Sequence, residues 1–146
     1  MSLTRTYKTD RNKETQGVAI PFPPNDDGSI PSFTVSRASK ANPRYTAAME
    51  RIIGPFRAAI ARKALPNDQA AKLMRQVFIE GCLMTWNNIP RSDVSGNPDL
   101  EGFAEFNEAN AETLFDNLPE LYEDLEKRAG ELDLFRMDEL ESDAKN

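Results

Sequence analysis

The side chains in this sequence best suited to chemistry are carboxylates. The stretch Asp93-Val94-Ser95-Gly96-Asn97-Pro98-Asp99 alternates oxygen-bearing side chains in the manner of a calcium-binding EF-hand loop. Counted from Asp93, however, the sixth position is Pro98, where a glycine must make the sharp turn. The twelfth is Ala104, where a bidentate Glu must close the ligand shell. The stretch therefore reads as polar turn chemistry, and no metal is expected. Other acidic pairs abound among the 24 Asp and Glu residues, but none stands in an apolar setting that would raise a carboxyl pKa for acid catalysis. Histidine is absent, which removes imidazole triads, most imidazole acid–base mechanisms and nearly every transition-metal site other than a carboxylate one. Neither G-x-G-x-x-G after a strand nor G-x-x-x-x-G-K-[ST] occurs, so the backbone cradles that hold nucleotide phosphates are missing. Cys82 is alone, between Gly81 and Leu83 in an apolar run, and reads as a small core residue that can form no intrachain disulfide. The expectation is a non-enzymatic protein with no catalytic residue, metal or cofactor.

Charge carries more information than any single acidic residue. From Asp99 to Asn146 there are 16 acidic and 4 basic side chains, a net of −12, whereas residues 1–98 hold 8 acidic and 14 basic, a net of +6. Two arrangements follow: the halves neutralise each other on folding, or the basic part of one copy meets the acidic part of the next. Attraction of the second kind favours a head-to-tail contact over a closed twofold one. Arg51, Arg57, Arg62 and Lys63 cluster on one expected helix and raise nucleic-acid binding as a third use. A solvated helix face accounts for them better in a chain of net charge −6, and Phe56 belongs to the apolar stripe rather than to a base-stacking platform. No nucleic acid is expected as a partner.

The elements that must position these groups are legible as periodicities. With 146 residues, 39% hydrophobic and 29% charged, the chain is expected to form one domain around one core. No run of about 18 apolar residues exists, and no apolar stretch follows the basic residues near the amino terminus, so neither a membrane span nor a secretory signal is expected. Residues 1–16 hold little that is apolar and read as a flexible basic arm; residues 17–138 read as a single mainly helical domain; residues 139–146 read as a flexible acidic tail. Gly17 to Phe22 and Ser32 to Arg37 flank the turn-rich Pro23-Pro24-Asn25-Asp26-Asp27-Gly28 and predict a short β-hairpin, with Pro21 confined to an edge. Asn42-Pro43 is a helix start, and Tyr45, Met49, Ile52, Ile53, Phe56 and Ile60 follow with helical spacing, interrupted by Gly54-Pro55 near Arg51. A second helix is predicted from Asn67 or Asp68 to about Trp86, with Gly81 allowing another backbone to approach. After a loop over 90–105, Asn107 caps a helix bearing Ala111, Leu114 and Phe115 that stops before Pro119. Pro119 starts the next, with Leu121, Tyr122, Leu125 and Ala129 on one face and Glu120, Glu123 and Asp124 on the other; Leu132 and Phe135 extend its stripe past Gly130. The predicted fold class is mainly α, about four to five helices with a short N-terminal β-hairpin.

Phe33-Thr34-Val35-Ser36-Arg37, Asn42, Trp86, Phe106-Asn107, Asn110-Ala111, Leu114, Leu118-Pro119-Glu120-Leu121 and Phe135, followed by a charged end with Lys145-Asn146, resemble the tail assembly chaperones of long-tailed bacteriophages. The resemblance covers residues 30–146. It implies a mainly helical protein of the host cytoplasm, absent from the mature virion, that binds the tape measure protein and keeps that long hydrophobic helix soluble until the tail tube polymerises around it. It also implies a longer form, made by frameshifting near the end of the first reading frame, that would contact the major tail tube protein. Ala144-Lys145-Asn146 is compatible with GCA AAA AAC, which contains a slippery heptamer. Copies coating a long partner need neighbour contacts that do not close, so a head-to-tail homo-oligomer is expected, with Arg57, Arg62 and Lys63 facing Glu120, Glu123 and Asp124 of the next copy. The alternatives are a structural adaptor retained in the particle and a small helical nucleic-acid-binding regulator.

Overall fold

The computed structural model describes residues 2–138, so the expected acidic tail over 139–146 and the Ala144-Lys145-Asn146 site lie outside the described residues. Two short helices, α1 (Leu3–Tyr7) and α2 (Arg11–Gln16), lead into strands β1 (Val18–Pro21) and β2 (Ser32–Val35). Helices α3 (Pro43–Ile53), α4 (Arg57–Ala61) and α5 (Asn67–Gly81) follow, then strand β3 (Leu83–Asn87). The short α6 (Arg91–Ser95), α7 (Glu108–Asn117) and α8 (Pro119–Ala129) complete the order, with a final 3-10 turn over Leu132–Phe135.

Capping signals fall where the sequence puts them. The Asn42 side chain accepts from the Arg44 amide at the start of α3, Asn107 accepts from the Asn110 amide at the start of α7, and Pro43 and Pro119 occupy first-turn positions. The expected interruption by Gly54-Pro55 is a 3-10 turn over Gly54–Phe56 that separates α3 from α4, a few residues beyond Arg51.

The principal departure is at the end of the second long helix, predicted to reach Trp86. α5 stops at Gly81, Cys82 leaves helical geometry, and Leu83–Asn87 is a strand. It pairs antiparallel with β2, Phe33 opposite Trp86 and Thr34 opposite Thr85, so the expected hairpin is two strands of a three-stranded sheet in the order β1-β2-β3. The competing forces explain the outcome. A two-stranded hairpin is marginal alone and leaves one edge of β2 unpaired, and Leu83-Met84-Thr85-Trp86 ends in a β-branched and an aromatic residue suited to a strand; the register shift between Thr34 and Val35 lets both Leu83 and Trp86 be buried.

The first residues also differ from the expected flexible arm. Asp10 caps α2 and donates its amide to the Phe135 carbonyl, Thr9 bridges Arg136, and the Met137 amide donates to the Lys8 carbonyl. Glu14 is 5% exposed and lies 2.5 Å from the Arg37 guanidinium. Backbone pairing and one buried ion pair thus hold a segment whose lack of apolar residues argued for mobility.

The main core joins the sheet to α5, α7 and α8 through Phe33, Phe78, Leu83, Trp86, Phe115 and Leu125. A smaller cluster, Ala48, Ile52 and Val77, lies between α3 and α5. Where the two meet, Asn42 is 1% exposed; its Nδ2 lies 2.9 Å from both Ser36 Oγ and the Arg37 carbonyl oxygen and 3.2 Å from that of Gly81.

Candidate functional site

A groove opens where the β1–β2 hairpin meets the corner between α7 and α8. Its floor is Phe33, Ile89 and Leu114, and its walls are Phe22 and Pro31 on the hairpin side and Leu118 and Leu121 on the helical side. The apolar pocket has a volume of about 130 Å³. An apolar cavity of roughly 150 Å³ takes up a benzene molecule, so there is room for one branched or aromatic side chain. Leu118 lies on the rim, 43% exposed, because α7 ends at Asn117 and Pro119 restarts the chain in a new direction.

Both walls are fixed from behind. Phe22 meets Phe33 edge-on at 5.6 Å, Phe33 meets Trp86 at 6.0 Å, and Trp86 meets Phe106 at 5.2 Å. The Trp86 indole donates to the Ala104 carbonyl at 2.9 Å, and the Ala104 amide donates to the Ile89 carbonyl at 2.8 Å, so the stretch expected as a loop is folded back upon itself. Asn25 and Asn88 tie the hairpin turn to the end of β3, Asn25 Nδ2 donating to the Asn88 carbonyl and Asn88 Nδ2 to that of Ile30. Asn117 Nδ2 donates to the Asp93 and Val94 carbonyls at 3.2 Å, holding α6 to the end of α7.

Beyond Pro90 and Asp93 the groove continues into a wider cleft of about 830 Å³ that carries Asp26, Asp27 and Glu101 together with Phe103, which is 46% exposed. Hydrogen bonds from Ser29 hold the Asp27 carboxyl below its ordinary pKa. Arg91 borders this cleft, its guanidinium 3.4 Å from the Glu101 carbonyl oxygen, and also lines a separate, smaller cleft. No group of three or more Cys, Asp or Glu side chains among the described residues is placed to hold a metal ion, so these carboxylates form a charged surface rather than a ligand cage.

The residues singled out for contact between copies are on the surface, and the fold does not pair them with one another. Arg57 pairs with Glu50, while Arg62 and Lys63 are exposed at the end of α4. On α8, Asp124 pairs with Arg128 at 3.2 Å, and Glu120 and Glu123 are exposed. Two of the four cations that raised nucleic-acid binding are engaged by carboxylates, Arg51 by Glu80 and Arg57 by Glu50. Among ion pairs between described residues, Lys13–Asp138 and Arg75–Asp116 join the basic first 98 residues to the acidic remainder; the other pairs stay within one half.

The buried titratable groups are structural. Burial pushes the Cys82 thiol up to about 12, and it is fully enclosed, as expected of a core residue. Burial, and then the hydrogen bond its hydroxyl donates to Glu126, raises Tyr122, whose ring packs on Phe78 and Phe115. The groove itself was not identified from sequence. Leu121 and Leu114 read as core stripe and Phe22 as strand; the available signal was Leu118, an apolar residue stranded at a helix junction.

The family described as YdaY prophage protein matches residues 40–146, which include α3 to α8 and β3 but not α1, α2, β1 or β2. No curated protein and no solved structure matches the chain.

Proposed function

The chain belongs to the YdaY prophage protein family, and we propose that it is a tail assembly chaperone, which binds the tape measure protein and keeps it soluble until tail-tube subunits assemble around it. It acts in the host cytoplasm, without catalysis or a cofactor, and is released before the particle is complete. The observation that carries the reading is the split of charge along the sequence, net +6 over residues 1–98 and −12 over 99–146, with two ion pairs joining the halves among the described residues. Copies that must cover a long partner need a repeated contact that does not close on itself, and opposite charge on two separate surfaces supplies one. In this reading Arg57, Arg62 and Lys63 of one copy face Glu120, Glu123 and Asp124 of the next. A longer frameshifted form extends the same body toward the major tail tube protein.

Coexpression with the long helical protein encoded alongside it tests the reading. The chaperone should keep that protein soluble and copurify with it; a partner that remains insoluble, or soluble without it, overturns the assignment. Mass spectrometry of purified tails separates the chaperone from an adaptor retained in the virion, because only the adaptor is present in stoichiometric amounts.

A further inference from the structure

The groove has an apolar end and an acidic end, and the chain carries an exposed segment with the matching order of side chains. In α1, Leu3 is 78% exposed and Tyr7 62%. Four residues apart, they share one face of the helix. Lys8 and Arg11 follow, both exposed. From Thr9 onward the segment is held by its bridge to Arg136. The groove runs in the same sense: an apolar pocket ending at Leu118 and Leu121, then Asp93, then the cleft bearing Asp26, Asp27 and Glu101. None of these four carboxylates is in an ion pair with another described residue.

We propose that the groove of one copy is filled by α1 of a second copy. Leu3 enters the apolar pocket, Tyr7 lies toward Phe103, and Lys8 and Arg11 meet Asp93, Asp26 and Asp27. An isolated exposed leucine calls for no explanation, but Leu3 and Tyr7 form a pair on one face, next to cations, and the receiving surface has the complementary sequence of properties. The contact is heterologous, α1 and groove being different surfaces, so it propagates from copy to copy instead of closing as a twofold dimer. The proposal shares with the chaperone reading only the expectation that copies associate, and it stands whether or not a tape measure protein is bound.

The test uses the full chain in two variants at exposed positions, an arm variant carrying Leu3→Asp with Tyr7→Asp and a groove variant carrying Leu118→Asp, with Trp86 fluorescence confirming that each is folded. Sedimentation in about 1 M salt, where charge contacts between α4 and α8 are screened, should give an oligomer for the parent chain and a single-copy mass for each variant at the same concentration. An equal mixture of the two variants should give a two-copy species and nothing larger, because one intact arm meets one intact groove and the chain of contacts ends there. A parent chain that stays monomeric, a variant that keeps the parent mass, or a mixture that stays monomeric overturns the proposal. Leu3→Cys combined with Leu118→Cys distinguishes the remaining occupants: disulfides between chains support it, whereas a disulfide within one chain gives the groove to the chain's own arm. A Leu118→Asp protein that loses a coexpressed helical partner while keeping its own oligomeric mass gives the groove to that partner, and likewise overturns it. Loss of oligomers with the partner still held soluble leaves the chaperone reading untouched.

Discussion

The backbone of Gly81, at the end of α5, lies so close to Tyr45 in α3 that a Cβ on the glycine would come 3.0 Å from Tyr45 Cα and 3.3 Å from Ala48 Cβ. Alanine gains about 1 kcal/mol of helix propensity over glycine, but forcing a methyl against packed backbone costs about 1–3 kcal/mol. Gly81→Ala is expected to lower stability by about 1 kcal/mol and Gly81→Val by more. The urea midpoint measures both; a rise in the midpoint for alanine would show that α3 and α5 are not held at this spacing.

Glu14 and Arg37 form the ion pair that fixes α2 to the end of β2. Removing one member of a buried pair strands the other charge, at a cost of about 3 kcal/mol, so Glu14→Ala should destabilise the whole domain by about that much. Replacing both by apolar residues of similar size should restore most of the loss. Equal stability of Glu14→Ala and the parent chain in chemical denaturation would mean that residues 2–16 move freely.

Trp86 is the single tryptophan, so its emission reports on its surroundings without labelling. Buried to 5% exposure, it should emit at short wavelength in the folded protein and shift to the red on unfolding. Trp86→Phe keeps an aromatic ring between Phe33 and Phe106 but leaves the Ala104 carbonyl without its donor, a loss expected at about 1–3 kcal/mol.

Cys82, Tyr45 and Tyr122 all hold their protons more tightly in the folded state, chiefly because burial disfavours the charged form. Their contribution is complete below the unfolded thiol pKa, near 8.5, and is lost as pH rises from there toward about 12, because the unfolded chain ionises first. Stability should therefore fall on the alkaline side, and Cys82→Ala should shallow that slope. A thiol reagent at pH 8 should leave the native protein unmodified and react fully once it is denatured; rapid labelling of folded protein would contradict the burial.

Contacts between the basic end of α4 and the acidic face of α8 should be sensitive to salt, since screening shortens from about 10 Å at 0.1 M to about 3 Å at 1 M. Arg57→Glu, Arg62→Glu and Lys63→Glu together should reduce self-association at low salt. A sedimentation mass independent of salt and concentration removes electrostatic association altogether.

Local signals in the sequence were strong enough to place most helices. Asn42, Pro43, Asn107 and Pro119 act through hydrogen bonds and sterics confined to a few neighbouring residues, and each stands at the expected helix boundary. What could not be read locally was decided by tertiary partners. Leu83 to Trp86 suits a helix or a strand by composition, and the unpaired edge of β2 settles the matter from 50 residues away in the chain, a separation visible in the pairing of Phe33 with Trp86. The docking of residues 2–16 likewise depends on Arg37, Phe135 and Arg136, and the groove exists only where a hairpin, a loop and a helix junction converge. The charge separation along the chain was legible, but which ion pairs form across it was not, because that depends on which side chains meet in space.

Asn42 has a consequence for how the protein opens. One buried amide joins Ser36 and Arg37 after β2, the first turn of α3, and the last residue of α5, so fraying any of these segments exposes polar groups that the others need as partners. The sheet and the α3–α5 pair are thereby made to exchange their amide hydrogens as one cooperative unit, with similar protection in Val35, Ala48 and Val77, instead of unravelling separately. A single carboxamide at the start of a helix sets the size of the unit that must unfold at once.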